Sequence, residues 1–322
     1  MKKSLIAALS FAAMTLTACG GGASNQPEAT VPPVSTPDLP EITTPGDLPS
    51  RDLTLGVSIS TLSNPFFIEI EDGIRFAAER NGINVNILGA SDNSATQSND
   101  IDDLLQMGVD AILVNPVDST AIASTIEYIN GSHGVPVITI DRSADSGDVI
   151  TFIASNNVEG GEQAANLIVE LVGEGAKVIE LEGIPGSSAA NERGLGFNNV
   201  ANSQLDVVAR QTANFNRSEG LNVMENLLQA NPDIVAVFAH NDEMALGAIE
   251  ALRGFGILDQ VIVVGFDGTD DAIEAINAGE MTATVAQQPF EMGVLAVEAA
   301  IRSLEGDFVD PKIDSPLTLI MQ

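Results

Sequence analysis

Short apolar runs rich in β-branched residues alternate with longer stretches of helical periodicity along this chain, from residue 52 onward. Such runs predict buried strands, whereas apolar positions that recur every three to four residues predict amphipathic helices. The predicted strands are 53–60, 83–90, 110–116, 135–141, 176–183, 206–214, 234–241, 261–268 and 282–289. The clearest predicted helices are 65–81, 156–173, 242–255 and 290–305.

This alternation predicts an α/β fold in which doubly wound parallel sheets carry helices on both faces. The region after residue 52 spans about 270 residues, which is long for one such sheet, so two lobes are expected.

The ends of the predicted strands repeat. Asn115 and Asp141 close two strands and stand 26 residues apart, and Asn241 and Asp267 close two later strands at the same separation. Each residue of the second pair lies 126 positions after its counterpart. Together with the shared strand–helix rhythm, these offsets indicate two similar copies of one α/β unit.

Polar residues follow the apolar runs at several of these strand ends. Ligands of open parallel sheets bind beyond the carboxyl ends of the strands. If two lobes face each other with these edges inward, one cleft is lined by the following residues: Ser60, Asn115, Asp141, Asn241, Asp267 and Gln287.

The adjacent pair Phe66-Phe67 stands out in a chain with 4% aromatic residues. It follows Asn64-Pro65, and proline suits the first turn of a helix. Adjacent helical residues point about 100° apart, because one turn holds about 3.6 residues. Both rings can therefore face the core only if that helix end is buried on two sides; otherwise one ring faces something else.

The first fifty residues carry export and tether signals rather than fold signals. Leu5 to Leu16 is an apolar run that is shorter than the roughly 20 residues a transmembrane helix needs. The next residues, Leu16-Thr17-Ala18-Cys19, resemble the lipobox of bacterial lipoproteins, which implies removal of residues 1–18 and lipid attachment at Cys19. Residues 19–50 hold seven of the fifteen prolines, which predicts a disordered tether. Since Cys19 is the single cysteine, an intramolecular disulfide is excluded.

The acidity of the chain belongs to its body. Without Lys2, Lys3 and the four acids of the tether, 11 basic and 41 acidic residues remain, for a formal charge of −30. Nucleic-acid binding is disfavoured, because phosphate contacts need clustered Lys and Arg. Solubility is the simpler explanation of this acidity, and adaptation to saline surroundings is an alternative hypothesis.

Catalytic and cofactor motifs are absent from the sequence. It has no P-loop, dinucleotide fingerprint or nucleophile elbow, and one cysteine and two histidines make metal or triad chemistry improbable. Asp and Glu residues could still form a catalytic pair of the glycosidase type, although no spacing singles out such a pair. No enzyme activity, cofactor or metal is expected.

The body resembles the bacterial ribose-binding proteins, within the type I periplasmic sugar-binding family. The stretches that carry this resemblance, from about residue 53 to the C-terminus, are STLSNPFF, ILVNPVDS, VPVITIDR, GEGAKVIELEGIPGSSAANERG, GLNVMENLL, VFAHNDEMALGAIEAL, VIVVGFDGT and ATVAQQP. Singly, most of these residues have a commoner structural explanation, such as a core ring or a turn. Their joint occurrence in one order favours the functional interpretation.

The resemblance implies two lobes joined by a hinge of three crossings, with the ligand in the cleft between them. It assigns residues 52–155 and about 288–315 to an N-terminal lobe, and residues 156–287 and about 316–322 to a C-terminal lobe. The implied partners are an ABC permease with its ATPase subunit, and in some relatives a chemoreceptor. The protein is expected to be an exported monomer on the periplasmic or cell-surface side, attached to a membrane through its lipid only.

The family's pocket residues match this sequence position by position. The implied sugar-binding set is Ser60, Asn64, Phe66, Phe67, Asn115, Asp141, Arg142, Arg193, Phe215, Asn241, Asp267 and Gln287. Departures lie outside that set, at Asn191, where relatives often have Arg, and at His240, where they often have Gln. Aromatic faces can cover the C–H faces of a pyranose, and planar Asp, Asn, Gln and Arg groups can each meet two hydroxyls.

The resemblance names D-ribose as the first ligand, and allose, xylose or another small sugar stays open. A sugar sensor that presents its ligand to a chemoreceptor or kinase is the alternative function. A transcriptional repressor of the related fold would need a basic helix-turn-helix, whereas this chain has an export signal and an acidic body. A secreted sugar-processing enzyme is the remaining rival.

Overall fold

The computed structural model describes residues 53–322, so the lipobox, Cys19 and the tether lie outside the described residues. In the described part, two six-stranded sheets organise two lobes. The elements of the first lobe are β1 (Thr54–Ile59), α1 (Pro65–Asn81), β2 (Asn84–Gly89), α2 (Ser94–Gln106), β3 (Ala111–Val114), α3 (Ala121–Ser132), β4 (Val137–Ile140), β5 (Thr151–Ser155), α9 (Pro289–Glu305) and β11 (Lys312–Ser315).

The second lobe is built from the intervening segment and the last strand. Its elements are α4 (Asn157–Val172), β6 (Lys177–Glu182), α5 (Ser188–Gln204), β7 (Asp206–Thr212), α6 (Arg217–Ala230), β8 (Ala236–Ala239), α7 (Asp242–Phe255), a 3₁₀ helix (Leu258–Gln260), β9 (Ile262–Asp267), α8 (Asp270–Asn277), β10 (Ala283–Ala286) and β12 (Thr318–Met321).

Both sheets follow the same strand order, which confirms the two related α/β units. The orders are β5-β4-β3-β1-β2 in the first lobe and β10-β9-β8-β6-β7 in the second, and these strands pair in parallel. At one edge, β11 runs parallel to β5, whereas β12 runs antiparallel to β10. The described chain passes between the sheets after β5, after β10 and after β11.

Each sheet is covered by apolar side chains on both faces, as expected for a doubly wound fold. In the first lobe, α1 and α9 pack on one face, and α2 and α3 pack on the other. In the second, α6 and α7 cover one face, and α4 and α5 cover the other. Among residues 53–322, no helix has the length and apolar character that a membrane crossing requires.

Glycines allow the helices that carry site residues to approach their neighbours closely. A Cβ built on Gly73 of α1 would lie 2.0 Å from the carbonyl oxygen of Phe290 in α9. A Cβ built on Gly196 of α5 would lie 1.9 Å from the carbonyl oxygen of Val158 in α4. Contacts this short are forbidden, so a larger residue would push either helix pair apart and shift the side chains that it presents.

The predicted helices agree closely with the structure, whereas three strands escape the sequence pattern. The helices predicted at 65–81 and 242–255 have the observed bounds. The missed strands are β5, β11 and β12, and the last two are four residues long and largely exposed, so apolar periodicity does not mark them. The strand predicted at 282–289 is too long, because β10 ends at Ala286 and α9 begins at Pro289.

Candidate functional site

The carboxyl ends of the central strands of both sheets bring polar residues toward one cleft. Ser60, Asn115 and Asp141 follow β1, β3 and β4 directly. In the second lobe, Asp267 is the last residue of β9, while Asn241 and Gln287 follow β8 and β10 closely. All six are buried.

The first turn of α1 supplies the paired aromatic rings. The Asn64 side chain caps this helix by accepting a hydrogen bond from Phe66 N at 3.0 Å, and Pro65 occupies its first position. Phe66 and Phe67 are each only 3% exposed, and their ring centroids lie 5.3 Å apart in an edge-to-face arrangement. This end of the helix is therefore buried on two sides, which answers the question raised by the adjacent rings.

Residues of both lobes line a pocket, and its empty space, including the part open to solvent, is about 220 Å³. None of its lining residues is more than 9% exposed. They are Asn64, Phe66, Phe67, Asp141, Arg142, Ala189, Arg193, Phe215, Asn241 and Asp267. Nine of the twelve residues of the implied set therefore line one pocket.

The other three residues of that set lie one layer behind the cavity wall. Asn115 Nδ2 donates to Asp141 Oδ2 at 3.4 Å, and Asn115 Oδ1 accepts from Ser60 N at 3.1 Å. Gln287 Nε2 donates to Asp267 Oδ1 at 2.9 Å. In this arrangement, Ser60, Asn115 and Gln287 support the carboxylates that face the cavity.

Arg142 lies between aromatic rings of both lobes. Its guanidinium carbon is 5.2 Å from the ring centroid of Phe67 and 5.4 Å from that of Phe215, within cation–π range. Its Nη1 donates to Pro116 O at 3.0 Å, and its Nε lies 3.5 Å from Asp141 Oδ2. Within residues 53–322, neither Arg142 Nε nor Asp141 Oδ1 has a hydrogen-bond partner, so both can serve a ligand.

Arg193 is held more completely on the second lobe. Its Nε donates to Asn157 Oδ1 at 2.8 Å, and its Nη1 donates to His240 O at 2.6 Å and to Asp267 Oδ1 at 3.3 Å. Its guanidinium also stacks 3.8 Å from the ring centroid of Phe266. These contacts fix the orientation of Arg193 before any ligand arrives.

Burial changes the proton affinity of both cavity carboxylates. It raises the pKa of Asp141, although the Arg142 and Arg193 guanidiniums oppose the rise. It raises the pKa of Asp267 well above its ordinary value, with Arg193 opposing and the neighbouring Asp242 carboxylate adding to the rise. Hydroxyl donors from a ligand would favour the ionised form of each carboxylate.

Three lining residues have left-handed backbone conformations that are uncommon outside glycine. The φ angles are 64° at Asp141, 57° at Phe215 and 120° at Asp267. Such residues cost about 1–3 kcal/mol each and persist where the surrounding structure holds them, typically at ligand sites. Gly183 makes room for the strained Phe215, because a Cβ there would lie 2.1 Å from its ring.

Direct hydrogen bonds close the cleft at its rim. Ser119 N of the first lobe donates to Gly186 O at 3.0 Å, and Ser188 N donates to Ser119 Oγ at 3.3 Å. Ser143 N donates to Ser188 Oγ at 2.9 Å. These residues do not line the cavity, so the rim joins the lobes independently of the lining.

Sequence reasoning missed two residues of this site. Ala189 lines the cavity one helical turn before Arg193, and Asn157 orients the Arg193 guanidinium from α4. The i, i+4 spacing of Ala189 and Arg193 could have indicated a shared helix face. Nothing local marks Asn157, because its role depends on the packing of α4 against α5.

The arrangement suits a small flat molecule with apolar faces and a rim of hydroxyl groups. Rings from both lobes can cover the faces, while carboxylates accept and guanidiniums donate around the rim. Across residues 53–322, no group of three or more His, Cys, Asp or Glu side chains is placed to hold a metal ion.

A family model described as a periplasmic binding protein domain matches residues 55–307. The chain is 48% identical over 322 residues to the ribose import binding protein of Bacillus subtilis strain 168, covering 100% of each chain. It is 47% identical over 270 residues to the ribose import binding protein of Escherichia coli K12, covering 84% of this chain and 90% of that protein.

A solved structure shares the two-lobed fold. An ABC transporter solute binding protein from Bacillus halodurans C-125, with bound myo-inositol, superposes with a TM-score of 0.80 at 32% identity. The match covers 85% of this chain and 96% of that chain.

Proposed function

The chain belongs to the periplasmic binding protein family, and from this membership we propose that it is the sugar-binding component of an ABC importer, with D-ribose as its ligand. One observation carries the choice of a sugar: the pocket between the lobes has aromatic walls from both lobes and a carboxylate–guanidinium pair from each. Members of this family are exported to the periplasmic or cell-surface side. They bind substrates for transport rather than convert them.

In the proposed complex, Phe66, Phe67 and Phe215 cover the faces of the sugar ring. Asp141 and Asp267 accept from hydroxyl groups, while Arg142 and Arg193 donate to hydroxyl or ring oxygens. A site that pairs every hydroxyl rejects an analogue that lacks one by up to roughly 10⁴–10⁵-fold, because its own buried groups are left unpaired.

The proposed mechanism is closure about the three crossings. A sugar that contacts Arg142 on one lobe and Asp267 on the other favours the closed conformation by its differential affinity for that state. The rim bonds of Ser119 and Ser188 then add to the closed state. A membrane permease with its ATPase subunit would recognise this conformation and receive the sugar.

Titration calorimetry on the purified protein, stripped of bound sugar, tests the ligand. The panel contains D-ribose, D-allose, D-xylose and myo-inositol. Tight one-to-one ribose binding with weaker neighbours is expected. Tight binding of another sugar would keep the importer role and change the ligand. If none of the four sugars binds, the sugar-binding proposal is overturned.

Uptake and localisation are tested in cells. Deletion of the gene should abolish ribose uptake if the protein feeds an importer, whereas intact uptake with lost sugar sensing would favour the sensor function. We also propose lipid attachment at Cys19, and C19A should release the protein from the membrane fraction. An unchanged membrane fraction in C19A would contradict the anchor.

A further inference from the structure

Asp242 is a fully buried carboxylate of the second lobe that does not line the cavity. Its Oδ2 accepts hydrogen bonds from Gly268 N at 2.8 Å, from Thr269 N at 2.8 Å and from Thr269 Oγ1 at 3.3 Å. Its Oδ1 accepts from Thr284 Oγ1 at 2.7 Å. A single side chain thus ties the start of α7 to the end of β9 and to β10.

Each of these three segments carries one of the polar residues proposed to serve the sugar. Asn241 immediately precedes Asp242, and its Oδ1 caps α7 by accepting from Met244 N at 3.0 Å. Asp267 immediately precedes Gly268. Gln287 follows Thr284 by three positions, just beyond β10. The Asp242 carboxylate is therefore the point that these segments share.

The end of β9 needs such a restraint. Asp267 has a φ of 120°, and Gly268 follows with a φ of 82°. A strained conformation persists only where neighbouring contacts hold it. The two backbone N–H groups that follow Asp267 both donate to Asp242 Oδ2, and this fixes the peptide planes that set the direction of the Asp267 side chain.

Strand β9 itself leaves space for the Asp242 carboxylate at Gly265. A Cβ on Gly265 would lie 2.3 Å from Asp242 Oδ1 and 2.4 Å from Met281 Cε. Glycine inside a strand weakens it, and its presence often marks a close approach of another group. Here the close approach is that of the Asp242 carboxylate.

Burying a carboxylate at this position costs free energy that an apolar side chain would not cost, so packing alone does not explain Asp242. Burial raises the pKa of Asp242 to about 6, against the lowering effect of its hydrogen bonds from Thr284, Thr269 and Gly268. Even buried ion pairs are often replaced by well-packed apolar residues without loss of stability. The four hydrogen bonds to Gly268, Thr269 and Thr284, which an apolar side chain cannot make, offset this cost.

We propose that Asp242 is a positioning residue that holds Asn241, Asp267 and Gln287 in one arrangement, and thereby sets sugar affinity without touching the sugar. This proposal rests on the proposed function. It predicts that affinity depends on the hydrogen bonds that the side chain at position 242 makes to Gly268, Thr269 and Thr284 rather than on its negative charge.

The matched variants are D242N and D242A in the full chain. In D242N, the amide oxygen can accept from Gly268 N and Thr269 N, while the amide nitrogen can donate to Thr284 Oγ1. D242A removes all four bonds. By calorimetry with D-ribose at pH 7.5, well below the thermal midpoints, D242N should bind within threefold of the wild type and D242A at least tenfold more weakly. D259A, an exposed acid of the same lobe, is the control and should bind like the wild type.

A second readout does not depend on the sugar. The side-chain amide resonances of Asn241 and Gln287, in the ligand-free protein, should shift in D242A and stay close to their wild-type positions in D242N. If the wild type binds no sugar, the proposed function fails, and these resonances alone decide whether Asp242 positions its neighbours. The two failures are therefore distinguishable.

A role in folding alone would lower the thermal midpoint of D242A and leave the affinity and resonances of the folded protein unchanged. That result would overturn the proposal. If D242A does not fold, T284V decides the question, because it removes the bond to Oδ1 with a side chain of similar shape. T284V should weaken ribose binding about threefold and shift the Gln287 amide resonance, and wild-type values for both would overturn the proposal.

Discussion

Behind the cleft, the first lobe uses a neutral amide where the second lobe uses a carboxylate. Gln97 Nε2 donates to Asn115 O at 2.9 Å and to Ser58 Oγ at 3.3 Å, while its Oε1 accepts from Val117 N at 2.8 Å. In the second lobe, Asp242 joins α7 to the end of β9 and to β10, with acceptor atoms only. The two lobes therefore support their cleft edges from different helices and with different chemistry.

The two edges also differ in how many hydrogen bonds their carboxylates and guanidiniums make within the protein. On the second lobe, Asp267 already accepts from Arg193 and Gln287. On the first, Asp141 Oδ1 and Arg142 Nε have no hydrogen-bond partner in the described part of the chain. The Asp267–Arg193 pair of the second lobe is thus held by protein partners, whereas the Asp141–Arg142 pair of the first lobe keeps one atom of each residue for the ligand.

The largest expected effect comes from removing the first-lobe guanidinium. R142A should weaken ribose binding by about 100-fold or more, because hydrogen bonds to charged groups contribute about 1.5–3 kcal/mol each. R193A should also weaken binding, but it should lower the thermal midpoint more than R142A, since Asn157 and Asp267 lose their partner. Calorimetry and thermal unfolding of both variants measure this contrast.

R253A, on the surface of the second lobe, is the control for both variants and should leave both quantities near the wild type. Equal losses of affinity and of stability in R142A and R193A would remove the distinction between the two edges. Unchanged ribose affinity in R142A would contradict the proposed site itself.

The next effect concerns pH. The folded-state pKa of Asp242 is raised from 3.8 to about 6, so the folded protein binds this proton more tightly than the unfolded chain. The stability that Asp242 contributes is thus present below about pH 4 and is lost as pH rises through about 6. In D242N this loss is absent, so its stability relative to the wild type should rise by roughly 2–3 kcal/mol between pH 4 and pH 7.

Urea unfolding of the wild type, D242N and Q97L at several pH values between 4 and 7 measures this effect. Q97L should cost the same stability at each pH, because a buried amide does not titrate. The proposed contrast between the carboxylate and the amide is wrong if the unfolding free energies of D242N and Q97L, each relative to the wild type, change with pH in the same way.

A smaller effect is expected at the aromatic walls, one from each lobe. F67L and F215L should each weaken ribose binding about tenfold, because aromatic and cation–π contacts contribute about 0.5–1.5 kcal/mol beyond their buried area. F76L, which replaces a ring exposed on the surface of α1, should leave affinity unchanged. Calorimetry distinguishes the variants, and wild-type affinity in F215L would show that the second lobe supplies no wall.

The smallest effect is expected at the rim. S188A removes the acceptor of the Ser143 N–H bond, and neutral hydrogen bonds contribute about 0.5–1.5 kcal/mol, so affinity should fall about fivefold for every sugar alike. S203A, on an exposed face of the same helix, is the matched control. A change in the order of sugar preference in S188A, measured with the same sugar panel, would show that the rim contacts the ligand.

The alternation of apolar runs was sufficient to predict the parallel α/β class and the duplicated unit. Strands such as β3 and β8 consist wholly of buried apolar residues, and capping residues such as Asn64 and Gly82 mark helix ends locally. The strands β11 and β12 could not be predicted this way, because their pairing with β5 and β10 depends on residues far away in sequence.

The sequence by itself determined which residues stand at the strand ends, since the period of the apolar pattern defines where each strand stops. It also identified Phe66, Phe67 and the two Asp residues through their position and their family context. Only the tertiary structure decided that Ser60, Asn115 and Gln287 lie behind the wall, and that Asn157 and Asp242 hold the groups in front of them. The physical reason is that hydrogen bonds between buried side chains join residues as many as 74 positions apart, and no local pattern encodes such a pairing.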